Sequence, residues 1–135
     1  MFVAPAPLYC LLYRSHLAPD REIACVGDII KTARSFNAEH GITGILVFDG
    51  QRFFQYLEGP PAAVQRLVQS IRHDPRHTAF TVLHHSDHVL QRRFADWAMA
   101  YVLADEEEPL EPLAALNGQE ALERLLALLP VLDIG

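Results

Sequence analysis

Apolar and polar positions alternate in the first readable element, LYCLLYRS. From Leu8 to Ser15, Tyr9, Leu11 and Tyr13 share one face, and Cys10, Leu12 and Arg14 share the other. That is the period of a strand. The period then changes to that of a helix from about Cys25 to Glu39, where Val26, Ile29, Ile30, Ala33 and Phe36 recur at helical spacing and Gly41 marks the stop. ITGILVF, Ile42 to Phe48, reads as a second strand, Asp49-Gly50 as a hairpin turn, and RFFQYLEG, Arg52 to Gly59, as a third strand. Pro60-Pro61 opens a second helix, PAAVQRLVQSIRHD, with Ala63, Leu67, Ser70 and Ile71 in or beside its inner stripe; Asp74-Pro75 ends it. FTVLHHSDHV predicts a fourth strand running into a loop, and WAMAYVL, Trp97 to Leu103, a fifth. NGQEALERLLALLP predicts a last helix. Asn117 and Glu120 stand at capping-box spacing, Leu122, Leu125, Leu126 and Leu129 form its stripe, and Pro130 ends it.

The order β-α-β-β-α-β-β, with both helices on one face of a mixed sheet, predicts an α+β, ferredoxin-like sandwich with a C-terminal helical extension. Residues 1–103 form the expected domain, and residues 104–135 an acidic linker, ADEEEP, and the last helix. Leu12, Ile45, Val47, Phe54 and Tyr56 fall on the sheet face away from the two helices, a face too apolar to stay wet. The C-terminal helix is expected to cover it, with the remaining apolar surface making a homodimer.

Composition narrows the functional classes. The chain has 135 residues, half of them hydrophobic, and a formal net charge of −6. It can bury a core. Its basic residues number 11, Lys31 the single lysine among them, so no nucleic-acid surface is expected. No apolar run has membrane-spanning length, and the start MFVAPAPLYC lacks the basic residues of a signal peptide. Cys10 and Cys25 make no CxxC; a reduced cytoplasm with free thiols is the expectation. His84, His85 and His88, or His73 and His77, suggest a metal only weakly, because neither set has a cysteine partner or an evident third or fourth ligand. A histidine-rich surface loop is the simpler reading. No carboxylate pair, phosphate-cradling loop or Ser-His-Asp order points to catalysis.

Gln55 does not fit a plain core. Alternation places it between Phe53 and Leu57 on a buried face, where each unpaired amide group would cost about 1–3 kcal/mol. Tyr13 lies on a similar face, Asn37 near the end of the first helix, and Trp97 and Met99 on one face of the fifth strand. A Tyr–Gln pair alone would be an ordinary core contact. The set together suits a planar ligand that alternates donors and acceptors, as a flavin's pyrimidine edge does.

LLYRS, DIIKTARSFNAEHGITGILVFDGQRFFQYLEGP, IRHDPRH and RRFADWAM resemble the BLUF family, the sensors of blue light using flavin, in order and at family spacing over roughly residues 8 to 102. The resemblance implies a non-covalent flavin, FAD or else FMN or riboflavin, lying between the two helices. It makes Tyr13 and Gln55 the photoactive pair and Asn37 the residue that holds the flavin edge. Ile29 and Ile71 would sandwich the ring, Arg76 and His77 would form the basic pair beside it, and Trp97 and Met99 would relay the signal. Two positions depart from the family pattern: Phe36 stands where a polar residue or a stacking histidine is common, and Ala33 where a serine is. The resemblance implies that, on illumination, Tyr13 gives an electron and a proton, Gln55 passes the proton on and is left rotated or tautomerised, and absorption shifts to the red. No enzymatic output follows; the expected output is a changed contact with a copy of the chain or with an unknown downstream protein. A small flavin or haem redox enzyme and a light-blind interaction module are the alternatives. The colour of the purified protein and its response to blue light separate the three.

Overall fold

The computed structural model describes residues 7–20, 22, 25–89, 91–94, 100–103 and 118–128. Trp97 and Met99, the ADEEEP linker and the capping-box residue Asn117 lie outside the described residues.

The strands are β1 (Leu8–Leu17), β2 (Thr43–Phe48), β3 (Arg52–Gly59), β4 (His77–Val89) and β5 (Ala100–Leu103); the helices are α1 (Cys25–His40), α2 (Pro61–Arg72) and α3 (Gly118–Leu128). They form one sheet in the order β4-β1-β3-β2-β5. Neighbours are antiparallel except β2 and β5, which run parallel. Four antiparallel strands with two helices on one face make an α+β, ferredoxin-like fold. The β-α-β-β-α-β-β order read from periodicity is the observed one, within two or three residues at most boundaries.

Local chemistry sets the joints. Gly41 ends α1 with φ 71°, a conformation open to glycine at little cost. At the β2–β3 hairpin, Asp49 Oδ1 accepts from the backbone N–H groups of Gln51 (3.0 Å) and Arg52 (2.7 Å), and Gly50 takes φ 98°. Gly44 is needed for a different reason: a Cβ there would run into the Tyr56 carbonyl oxygen where β2 meets β3.

The sheet buries both faces. On the α1/α2 side, Leu11, Tyr13, Leu46, Phe53 and Leu57 pack against Val26 and Ile29 of α1 and Val64, Leu67 and Val68 of α2. Of the stripe expected for α2, Leu67 is inside, Ala63 and Ile71 flank it and Ser70 is exposed. On the opposite side, Leu12, Ile45, Val47, Phe54 and Tyr56 are all at 0% exposure, under Ala121, Leu122 and Leu125 of α3 and Phe94. The C-terminal helix therefore covers the outer face. The surface that suggested a second subunit is already buried within one chain.

β4 departs most from expectation. It begins three residues before Phe80 and continues through the histidines read as a loop. Its pairing with β1 slips three times, between Leu8 and Cys10, Leu12 and Tyr13, and Arg14 and His16. Each slip adds one residue to β4, and Ala79, at the last, adopts a positive φ of 53°. Such bulges turn successive side chains away from strict alternation. Phe80 and Val82 consequently pack on the helix side and Leu83 on the α3 side. His84 and His85 stand on a strand and face opposite ways: His84 lines a cleft under α3, and the His85 ring centroid lies 6.2 Å from that of Tyr9.

Candidate functional site

Tyr13 and Gln55 are direct partners in the antiparallel ladder between the two central strands, β1 and β3. Side chains directly opposite share a face about 4.5–5.5 Å apart, so register alone brings phenol and carboxamide together. The Tyr13 hydroxyl donates to Gln55 Oε1. Both side chains are almost wholly buried. Burial, and then the charge of Asp74, push the Tyr13 phenol far above its ordinary pKa; it holds its proton.

A cavity of about 240 Å³ opens above this pair, between α1 and α2. Ile29, Ala33 and Phe36 of α1 form one wall, and Leu67 and Ile71 of α2 the other. Thr32 and Ser70 add hydroxyls, and Asp74, Arg76 and His77 complete the lining. Arg76 is fixed: its Nε and Nη2 donate to Asp74 at 3.0 and 2.7 Å. Burial alone would raise the Asp74 carboxyl; the hydrogen bonds and charge of Arg76 outweigh it and hold that pKa below the usual range. His77 is buried, which depresses its pKa, and its Nδ1 lies 2.8 Å from Ser15 Oγ.

Six of the seven residues expected to hold a ligand line this cavity: Tyr13, Ile29, Gln55, Ile71, Arg76 and His77. Asn37 is fully buried one residue beyond Phe36, outside the lining. Sequence reasoning missed Ser15, the anchoring role of Asp74, and Phe80. The Phe80 ring stacks on Tyr13 at 4.7 Å and 26°, with the Arg72 guanidinium over it at 5.0 Å. The Asp74-x-Arg76 spacing carried a signal for an ion pair; Phe80 carried none, because its direction depends on the bulge.

Comparison with known proteins decides the family. The family model described as sensors of blue-light using FAD matches residues 8–100. The chain is a BLUF protein. The BLUF protein BlrB, in its dark-state structure, is 34% identical, with a TM-score of 0.77 over 89% of this chain and 92% of that one. BlsA in its photo-activated state is 29% identical, with a TM-score of 0.82 over 95% and 98%. The blue light- and temperature-regulated antirepressor BluF of Escherichia coli (strain K12) is 37% identical over 92 residues, 68% of this chain and 23% of that protein. The photoactivated adenylate cyclase subunit beta of Euglena gracilis is 37% identical over 95 residues, 69% of this chain and 11% of that protein. The chain thus spans under a quarter of these curated relatives. BLUF domains carry a flavin as chromophore and act as blue-light sensors, and the Tyr13–Gln55 hydrogen bond fits the light-driven rearrangement expected of one.

Proposed function

We propose that the cavity between α1 and α2 is the flavin site and that Tyr13 and Gln55 are its photoactive residues. The observation that carries this reading is a buried phenol–carboxamide hydrogen bond at the floor of a slot walled by aliphatic side chains from two helices. The residues suit the group. Ile29 and Ile71 reach the slot from opposing helices, as a flat ring system requires, and its polar lining lies at Gln55, Arg76 and His77. The volume is below the roughly 300–1,000 Å³ of sites that engulf a ligand, so the slot would hold the ring system and not the whole of FAD. Arg76 keeps Nη1 for a ligand while Asp74 holds its other donors. Asn37, buried beside the slot, is assigned to the flavin edge through the family resemblance.

The bound flavin supplies absorption of blue light and, once excited, a strong electron acceptor. The chain supplies the proton path. The Tyr13 hydroxyl points its proton at Gln55 Oε1, and both side chains are almost wholly buried. The Gln55 carboxamide accepts at one end and donates at the other, so a half-turn or a tautomeric shift exchanges its two ends. β3 joins this switch to β2, and β2 pairs with β5. Trp97 and Met99, just before β5, are assigned the relay. Residues 1–103 are assigned as the sensing unit and residues 104–135 as the output segment, with α3 returning onto the sheet. The output acts by protein–protein contact, with a downstream protein, a further domain or a copy of the chain, and not by catalysis within the sensing unit. The free Cys10 and Cys25 favour a reducing cytoplasm.

Tyr13→Phe tests the assignment. The ring packing survives and the hydroxyl does not, so the variant should purify with flavin and lose the reversible red shift under blue light. A normal, recovering shift in Tyr13→Phe would remove Tyr13 from the mechanism.

A further inference from the structure

Glu58 is fully buried on β3, three residues past Gln55. Alternation turns it to the face of Phe54 and Tyr56, opposite to Gln55. A carboxylate buried there is costly unless hydrogen bonds satisfy it. Glu58 Oε1 accepts from the backbone N–H of Arg93 at 2.8 Å. Oε2 accepts from the backbone N–H of Phe94 at 2.7 Å and from the Thr43 hydroxyl at 3.1 Å. Two of these donors lie side by side on the segment that follows β4.

Other contacts hold the same segment. The Arg92 guanidinium donates to the Thr43 hydroxyl at 2.8 Å and to the Gly41 carbonyl at 2.7 Å. Thr43 thus accepts from Arg92 and donates to Glu58, as one hydroxyl can. The Phe94 ring lies against that of Tyr56, with centroids 5.6 Å apart.

Register shows what the clamp bounds. Residues 95–99, which include Trp97 and Met99, join Phe94 to Ala100. At the far end, Ala100 pairs with Ile45, and Ile45 pairs on its other side with Tyr56, the neighbour of Gln55. At the near end, Phe94 is bound to Glu58. Both ends of the span are therefore tied to β3 within three residues of Gln55. Ladder pairing fixes the far end. Trp97 stands three residues past Phe94, an extended reach of about 10 Å, so the near end needs an anchor of its own.

We propose that Glu58 is a positioning residue of the light switch: by holding the N–H groups of Arg93 and Phe94, it sets where the Trp97–Met99 segment lies against β3 and so how long the rearranged Gln55 persists. The inference rests on the assignment of Tyr13, Gln55 and the flavin slot, and adds a carboxylate on the opposite face of the sheet. Freed at its near end, the segment would adapt to either arrangement of Gln55, and the barrier to dark return would fall.

The test compares flavin-loaded Glu58→Gln with flavin-loaded Val68→Ala. Glutamine keeps the shape of the side chain but sets an NH2 against an N–H donor where an oxygen stood. Val68 belongs to the α2 core and does not line the flavin slot; truncating it costs stability and leaves the clamp alone. Glu58→Gln should keep the dark flavin spectrum and the red shift, and its light-adapted state should decay about tenfold faster. Val68→Ala should decay as the parent does. Trp97 is the chain's single tryptophan, so quenching of its fluorescence by acrylamide in the dark reads the segment itself. Quenching should rise in Glu58→Gln and not in Val68→Ala. Arg92→Gln removes the side-chain bonds to Gly41 and Thr43 and should move both readouts the same way. An unchanged decay or an unchanged quenching in Glu58→Gln overturns the proposal, as does an equal change in Val68→Ala. If Glu58→Gln does not fold, Arg92→Gln decides by the same criteria. A parent protein without a red shift overturns the reading of the flavin slot and this proposal with it; a parent that shifts, beside a Glu58→Gln that decays no faster, overturns this proposal alone.

Discussion

A tyrosine that is to give up its proton to one partner must first be kept from losing it to any other. Tyr13 meets that condition by position: it is 1% exposed, its phenol pKa is driven up by burial, and its hydroxyl faces Gln55. Phe80 stacks on it and holds the ring in place. Phe80→Leu keeps an apolar side chain and removes the ring that stacks on Tyr13. It should retain flavin yet shorten the life of the light-adapted state, as followed by absorption after a blue pulse; an unchanged decay would show that the stack does not hold Tyr13. His77 sets a pH limit. Burial depresses its pKa, with the Arg76 charge adding to that effect and the Asp74 charge opposing it. The unfolded chain takes up this proton near the ordinary histidine value of about 6.5, and the folded chain resists it. Between those two values the unfolded state holds more protons, so stability is complete above about pH 6.5 and drains as pH falls toward the folded value. Urea denaturation from about pH 7 to about pH 5 should show that slope, and His77→Gln should flatten it. The Tyr13–Gln55 pair was legible because alternation and a shared face are written in the sequence. Ser15 and Phe80 were not, because their contacts depend on how far β4 slips against β1.

At the level of elements, periodicity was legible wherever one face is apolar and the other wet. It gave α1, α2 and α3 and placed Leu12, Ile45, Val47, Phe54 and Tyr56 on the face that α3 covers. It placed β4 but missed its first three residues and the directions of its side chains, because bulges break the two-residue repeat and polar histidines look like a loop. α3 belongs to the core, not to a tail: Ala121 and Leu125 are at 0% exposure and Leu122 at 2%. Leu125→Ala should therefore lower stability by about 2–5 kcal/mol, measured as a shift in urea midpoint. A loss under about 0.5 kcal/mol, typical of surface positions, would mean that the helix does not rest on the sheet in solution.

For the whole molecule, covering both sheet faces within one chain changes how an output can be made. Self-association can no longer be argued from a bare apolar sheet. Removing residues 109–135 takes α3 with it and uncovers the five residues beneath. The truncated chain should aggregate or change its mass by light scattering. A soluble product of unchanged mass and normal light cycle would show that this segment neither covers the sheet nor transmits the signal. The partner itself was not legible: recognition depends on an exposed surface pattern, and folding constrains that pattern far less than it constrains the core.

The slips of β4 have one more consequence. β4 is a border strand of the sheet, and a border strand offers unpaired N–H and C=O groups to any extended chain that drifts past. A regular thirteen-residue border would be a template for copies of itself. Three extra residues distributed along it break the spacing of those groups, so a second β4 laid alongside would lose register every few residues. The irregularity that aims Phe80 at Tyr13 also denies this border of the sheet a repeating margin.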